Sequence, residues 1–311
     1  MELLSLGPDE LERRRDELNA ALDELVQRGK PEPALAAERG LVDFWMRKGH
    51  LDEGRHHLDR LLDAGEPPAH LRAAGLAGAG TLAFRQGDDE AAERLFEESA
   101  RLARGAGDEA VLASALGGLS RVALRAGDPG RTRELALQAL GLASDERAGL
   151  GARHMLAAAA RGEADYTRAE ELYGETLALA RRLGLRGVEA GELLNLGYTA
   201  LHLGRSEQAK ERFRQSLELG AELEDDYVLP YCLLGSGSSA ALGGEHAEAA
   251  RLLAAAKAAF EATGAAIDPG SAEEFDVAVA QARSRLGAAF EDAWAEGSRL
   301  TLDEAVERAR R

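Results

Sequence analysis

The sequence contains little cysteine, few aromatic residues and a deficit of positive charge. Cys232 is its single cysteine, so no disulfide can form within the chain, as is typical of a reducing cytosol. Aromatic residues make up 5% of the 311 residues and glycine contributes 35, a mixture that disfavours β-sandwiches and favours helices packed through small side chains. With 55 acidic and 38 basic residues, the net charge of −17 would repel nucleic acid and anionic lipid.

Long apolar runs are also missing. No stretch approaches the roughly 18 residues of a membrane span, and the first residues, MELLSLGPDELERRRDE, lack the apolar core of a secretory signal. These absences predict an acidic, cytoplasmic protein that has neither nucleic acid nor a membrane as a direct partner.

A turn residue followed by a helix rich in alanine, glutamate and arginine recurs six times along the chain. Successive turn residues are 38, 40, 37, 40 and 40 residues apart, a regularity that indicates a repeat architecture. We call these residues the turn markers: Gly49, Gly87, Gly127, Ala164, Gly204 and Gly244.

Each copy has the same internal pattern around its turn marker. A mostly small residue lies seven positions before the marker, a second lies five after it, and an apolar residue, large in every copy but the third, follows four positions later. The small pair would let two antiparallel helices approach closely, and the larger residue would fill the space against the next hairpin. The first small residues are Val42, Gly80, Ser120, Ala157, Gly197 and Gly237, and the apolar residues at the third position are Leu58, Phe96, Ala136, Tyr173, Phe213 and Leu253.

The pattern resembles the tetratricopeptide repeat, with residues 193–213 its clearest copy. Armadillo or HEAT repeats match the period but not the small–small–large spacing. We therefore predict an all-α fold, a right-handed α-solenoid of about six antiparallel hairpins of ~40 residues with helical caps. Because the usual repeat has ~34 residues, we expect the surplus residues between the hairpins. The predicted organisation is an N-terminal capping helix in residues 1–30, six hairpins in 31–262 and a C-terminal helical cap in 263–311.

The predicted caps have their own local signals. Residues 8–28 read as one polar amphipathic helix that ends before two prolines. Near the other end, Ser271 with Glu274 and Thr301 with Glu304 have the spacing of capping boxes, which predicts helices at 272–286 and 302–310. A short helix, AAFEDAWAEG, is expected between them.

Three stretches together resemble a narrower group, the C-terminal sensor region of actinobacterial transcriptional regulators of the LuxR and AfsR/MalT-like type. They are the opening helix, the long hairpins and the ending LGAAFEDAWAEGSRLTLDEAVERA. In that group an ATP-binding switch domain precedes the region and a DNA-binding domain lies at one end. This chain has no G-x-x-x-x-G-K-[ST] phosphate loop, and we expect the repeats to occupy nearly all of it and to leave no room for a helix-turn-helix domain, so neither ATP hydrolysis nor DNA binding carries over. The resemblance implies either the sensing part of a larger regulator or a separate protein built from that part.

Residues suited to catalysis are scarce. Three histidines, His50, His56 and His57, lie near Asp52 and Glu53, and carboxylate and imidazole groups at this spacing can bind one metal ion together. A solvated helix face explains these residues better, because no second cluster in the sequence supplies further ligands. The thiol of Cys232 reads as structural rather than nucleophilic. We predict no enzyme activity, no cofactor and no metal, with a metal-dependent enzyme as a remote alternative.

The first helices of such hairpins line a concave groove, which we expect to bind the partner. Arginines near helix ends, such as Arg47, Arg85, Arg125 and Arg161, are explained by the helix dipole, whereas Arg39 and Arg121 lie mid-helix. We predict a peptide or protein partner whose carboxylates meet guanidinium groups. The alternative is a small anionic effector bound near the tyrosines. The predicted groove residues are Arg39, Asp43, Phe84, Arg121, His154, Asn195, Tyr198 and Tyr231.

Overall fold

All six turn markers adopt a positive φ, the left-handed backbone conformation that ends one helix and redirects the chain into the next. Glycine enters this region without steric cost, which explains five of the six residues. Ala164 is the exception, with a φ of 59°. In the computed structural model, which describes residues 3–310, each marker lies between the two helices of one pair.

The described residues form a 3-10 turn, Leu3–Ser5, and eighteen α-helices, with no β-strand among them. Helices α4, α6, α8, α10, α12 and α14 precede the markers and are called the first helices; α5, α7, α9, α11, α13 and α15 follow the markers and are called the second helices. The bounds are α1 Pro8–Arg13, α2 Arg15–Gln27, α3 Glu32–Ala36, α4 Glu38–Arg47, α5 Leu51–Asp63, α6 Ala69–Arg85, α7 Asp89–Ala106, α8 Glu109–Arg125, α9 Pro129–Gly141, α10 Leu150–Gly162, α11 Tyr166–Arg182, α12 Arg186–His202, α13 Ser206–Glu222, α14 Val228–Leu242, α15 His246–Thr263, α16 Pro269–Leu286, α17 Ala289–Gly297 and α18 Leu302–Ala309.

Small residues hold neighbouring helices together, as the repeat pattern predicts. The ring of Phe96 in α7 lies against Gly80 of α6 and Gly118 of α8; a Cβ added at Gly118 would be 2.3 Å from it. Phe213 does the same in a later copy, where a Cβ at Gly235 would be 2.4 Å from its ring. One large residue thus fills the space between its own hairpin and the next. The predicted all-α, tetratricopeptide-like solenoid is confirmed.

At the junction of α7 and α8, the surplus of the repeat over ~34 residues lies in the helices rather than between them. Helix α7 has 18 residues and α8 has 17, and only Gly107 and Asp108 separate them. Gly107 has a φ of 69°, and the carboxylate of Asp108 accepts a hydrogen bond from the backbone N–H of Val111. A left-handed glycine followed by a helix cap makes this turn short. The expectation of surplus residues between hairpins is therefore wrong for α7 and α8, whereas residues 142–149 form a long connection between α9 and α10.

The chain divides into two compact units, Met1–Leu156 and Ala157–Arg311. In the first unit α1 packs on α4 and α2 packs on α5. The expected single helix over residues 8–28 is broken at Arg14, whose φ of −119° is not helical. The break lets the two short helices follow two different partners, and Arg15 of α2 forms a 2.6 Å ion pair with Glu53 of α5.

In the second unit α16, α17 and α18 pack against α15. The capping box of Thr301 and Glu304 is present as predicted. The box of Ser271 and Glu274 is not: α16 begins earlier, at Pro269, after Asp268 in extended conformation. Proline is pre-organised for the first helical position, so the helix starts there and Ser271 falls inside its first turn. In the part of the chain that the structure describes, every helix is too short or too polar to cross a lipid bilayer.

Candidate partner-binding site on the first helices

The predicted residues of the first unit lie on first helices but differ in exposure. Arg39 is exposed on α4. Asp43, one turn along, forms an ion pair with Arg47 of the same helix, with 3.4 Å between Oδ1 and Nε. Arg121 on α8 and His154 on α10 are partly buried. Arg39 therefore offers the most accessible guanidinium of the predicted set.

Phe84 is already covered by the chain itself. The guanidinium of Arg125 lies 3.5 Å from the centre of its ring and donates a 2.6 Å hydrogen bond to its carbonyl oxygen. The same guanidinium donates to Asp89 at 2.7 Å. These contacts join α6, α7 and α8, and they use the ring face that a partner side chain would need.

Tyr198 and Tyr231, the aromatic residues predicted in the second unit, belong to its core. Tyr198 is 2% exposed, its ring meets Phe213 edge-on at 5.0 Å, and its hydroxyl donates to the carbonyl oxygen of Tyr231 at 3.0 Å. Tyr231 is 4% exposed and packs on Phe260, with ring centres 4.7 Å apart. The space expected to seat a small effector beside these rings is filled by core side chains.

Asn195, one turn before Tyr198, is partly buried on α12. Its amide nitrogen donates a 2.9 Å hydrogen bond to the carbonyl oxygen of Gly191, so one of its two N–H groups is used within its own helix. The second N–H group and the amide oxygen remain for a partner.

The sequence predicted a helix in the region of α16 but did not reveal that this helix contacts two first helices, α12 and α14. Glu274 accepts a hydrogen bond from Nε2 of His202 at the end of α12, at 2.9 Å. Gln281 donates to the carbonyl oxygen of Ala241 in α14, at 3.0 Å. Residues 72 and 40 positions apart make these bonds, so no local pattern could have indicated them. The expected cap over the last hairpin thus also covers part of the first-helix side.

Arg161 stands on α10 at a position that is apolar in the other copies. It is four residues after the first small residue of its copy, and it is partly buried. A sequence comparison between copies could have detected it, since a charge replaces an apolar side chain once in six. The corresponding residues are Met46, Phe84, Leu124, Leu201 and Ala241.

Ionisable groups of the second unit favour the charged form of Arg161. Burial acts to lower the pKa of its guanidinium, but Tyr173, Glu274, Tyr198 and Asp268 together raise it. Burial raises the pKa of Tyr173 to about 12 and that of Tyr198 well above its usual value, so both phenols are neutral at pH 7. Glu274 and Asp268 therefore supply the negative charge that stabilises this cation.

The candidate catalytic groups are occupied by structural contacts. Nε2 of His50 bonds to Glu12 at 2.8 Å, and His57 stacks on Trp45. Among residues 3–310 no group of three or more histidine, cysteine, aspartate or glutamate side chains is placed to hold a metal ion. Cys232 is buried, and burial raises the pKa of its thiol to about 12, which keeps it protonated.

Comparisons with known proteins identify similar folds. No model of a protein family matches the sequence, and no curated protein matches it. The crystal structure of a Rap protein complexed with competence and sporulation factor is 14% identical, with a TM-score of 0.60 over 97% of this chain and 100% of that chain. BtubC (BKLC) from P. vanneervenii is 14% identical, with a TM-score of 0.51 over 67% of this chain and 91% of that one. At these identities the similarity shows a shared helical-repeat fold.

Proposed function

We propose that this chain is a non-enzymatic module that binds a peptide or protein partner on its first helices. The observation that carries the proposal is the first-helix surface itself, which presents the exposed guanidinium of Arg39 although the chain has a net charge of −17. Guanidinium groups form paired hydrogen bonds with carboxylates, so an acidic partner suits this surface. The Rap protein whose fold resembles this one was crystallised with competence and sporulation factor, which supports a bound partner.

A regulatory setting is the second part of the proposal. The resemblance to the sensor region of LuxR and AfsR/MalT-like regulators supports a role in transcriptional or signalling control. Each hairpin of a helical repeat contacts chiefly its neighbours, so a partner that bridges several first helices changes the balance between their arrangements. A protected thiol at Cys232 and histidines bonded within the fold support binding rather than catalysis.

The proposal is tested by selecting peptides from a displayed library with the full chain as bait, and then measuring their affinity for variants. On the first helices the variants are Arg39→Ala/Arg121→Ala and Asn195→Ala. The matched controls are Arg101→Ala and Arg168→Ala, because both arginines are exposed on second helices and pair only with a glutamate of their own helix. We expect selected peptides to bind at least one first-helix variant about tenfold more weakly, one charge-assisted contact being worth roughly 1.5–3 kcal/mol.

Equal affinity for all five proteins would contradict the assignment of the site. Loss of binding in the second-helix controls alone would place the site on the opposite side of the hairpins. Thermal unfolding of each variant identifies any loss that arises from misfolding.

A further inference from the structure

We propose that residues 271–277 of α16, called the lid, cover a helix-binding surface of α12 and α14, and that an amphipathic helix of the partner displaces them. This inference rests on the proposed function, because it names the kind of partner and its regulation at the same first-helix surface. All of the residues that carry it lie in the second unit, Ala157–Arg311.

Helix α16 lies against α14 in the register of a further repeat. The side chain of Gln281 donates to the carbonyl oxygen of Ala241, 40 positions earlier, at 3.0 Å. The hydroxyl of Tyr231 donates to Asp268, 37 positions later, at 3.2 Å. The turn markers are separated by the same 37 to 40 residues. Helix α16 therefore takes the place of a seventh first helix, and the surface beneath it is one that accepts a helix.

Helix α14 carries no charged residue, and the face that α16 covers holds an unsatisfied hydroxyl group. Ser238 lies seven residues after Tyr231 and three before Ala241, so these three residues lie on one side of α14. All three are buried, and Oγ of Ser238 has no hydrogen-bond partner in the described part of the chain. This hydroxyl would bond to water once the lid lifted, so its burial opposes the closed position.

The contact that joins the lid to α12 is also incomplete. Oε1 of Glu274 lies 2.9 Å from Nε2 of His202, and both helices pack against α14, so the two side chains meet over it. The ring of Tyr166 stacks on His202 with 4.5 Å between ring centres, which orients the imidazole. Oε2 of Glu274 is buried without a hydrogen-bond partner among the described residues. The closed lid thus satisfies its own carboxylate only in part.

The two halves of α16 are held differently. Ala278 and Ala282, in the second half, are buried in the core cluster. In the lid, Phe275 is only partly buried and Val277 is 62% exposed. Residues 264–268, which precede α16, are not helical. The lid can therefore lift from α12 and α14 while the second half of α16 stays packed.

The uncovered surface determines the kind of partner that fits it. Its apolar part is the face of α14, and the imidazole of His202 lies at its edge, where it now bonds to a carboxylate. A helix with an apolar stripe and an acidic residue beside that stripe matches both features.

Ser238→Cys introduces a reporter beneath the lid, because cysteine is close to serine in size. The rate at which its thiol reacts with a maleimide measures the open fraction of the full chain. Cys232 is the internal reference, since it lies on another side of α14 and bonds to Ser216. We expect Glu274→Gln to accelerate labelling at position 238 about tenfold and to leave Cys232 unreactive. The matched control is Glu273→Gln, an exposed neighbour on α16, which should change neither rate.

A peptide added in trans tests the partner. A synthetic peptide of residues 265–286 should slow labelling at position 238 of Ser238→Cys/Glu274→Gln about tenfold, because the attached copy competes with it less strongly there. The same peptide with Glu274→Gln should have little effect at that concentration.

Equal labelling with and without Glu274→Gln overturns the lid, and so does equal acceleration at Cys232, which would show that the whole unit opens. Protection by neither peptide, or by both equally, overturns the assignment of an acidic helix as the partner. Each of these results leaves the proposed function intact if the library-selected peptides still depend on first-helix residues. Independence of those peptides from the first helices would instead refute the proposed function, whatever the reporter does.

Discussion

Glu38 is a carboxylic acid held in poorly hydrated surroundings. It lies at the start of α4, and its Oε1 would be 2.5 Å from a Cβ added at Gly78 of α6. Burial raises its pKa to about 7, and the charge of the neighbouring Arg39 offsets only part of this effect. The protonated form of Glu38 is thus favoured in the folded chain.

This environment predicts a pH-dependent loss of stability. Glu38 binds its proton more tightly in the folded chain than in the unfolded one. The contribution of this tighter binding to the free energy of unfolding is therefore complete below about pH 4.5 and is lost as the pH rises through 7. Glu38→Gln should therefore raise the free energy of unfolding at pH 8 by about 1–2 kcal/mol, a figure reduced for partial exposure, and have little effect at pH 4.5. Urea denaturation at both pH values measures this.

The control for that experiment is Glu66→Gln, because Glu66 is exposed. The prediction would be contradicted if the free energies of unfolding of wild type and Glu38→Gln changed in parallel between pH 4.5 and 8. The carboxyl group of Glu38 would then be as well solvated in the folded chain as in the unfolded one.

At the scale of the helix pair, two residues other than glycine within the described range 3–310 take the left-handed conformation. Ala164 has a φ of 59° at a position where the other five markers are glycine, and Glu224 has a φ of 46° midway between Gly184 and Gly264. A Cβ in this region is close to the backbone carbonyl oxygen, at a cost of about 1 kcal/mol. Both residues are held there by the turns of their repeats.

Replacing either residue with glycine should stabilise the chain. We expect Ala164→Gly and Glu224→Gly each to raise the free energy of unfolding by about 0.5–1 kcal/mol, because relief of strain exceeds the added flexibility of the unfolded chain. Gly204→Ala, the reverse change at an equivalent marker with a φ of 70°, should lower it by a similar amount. Urea denaturation of the three variants measures all three effects, and a loss of stability in both glycine variants would contradict the account.

The sequence predicted the helix pairs because each one repeats a local rule. The repeat spacing alone predicts the residue at each turn and the small residues that pack against Phe96 or Phe213. The candidate site was less predictable. Tyr198 and Tyr231 lie on the expected helices, but their rings point into packing made by α13 and α15, and the bond between Glu274 and His202 joins residues 72 positions apart. Only long-range packing decides such contacts.

At the scale of the whole molecule, the fold is a series of local cores. Phe96 belongs to a cluster of residues 83–122, whereas Phe213 belongs to a cluster of residues 190–306. In helical-repeat proteins stability is approximately a sum of such neighbouring interactions. A defect in one cluster should therefore leave the other unaffected.

Hydrogen exchange followed by mass spectrometry tests this locality. Gly118→Ala forces a Cβ into the ring of Phe96, so exchange should accelerate in α6–α8 and stay at the wild-type level in α12–α15. Gly235→Ala, against Phe213, should give the opposite pattern. Gly117→Ala is the control, since its Cβ would meet open space, and it should accelerate exchange nowhere. Uniform acceleration by either clashing variant would show that the chain opens as one cooperative unit.

The environment of Cys232 has a practical consequence for such work. The thiol is fully buried in α14 and hydrogen-bonded to the hydroxyl of Ser216 at 3.2 Å, and its high pKa keeps the reactive thiolate scarce. We expect a maleimide dye not to react with this thiol as long as the fold is intact. Two new cysteines placed on exposed helix positions of one unit would then be the labelled sites, so the distance between them can be followed by fluorescence without first removing a native residue from the core.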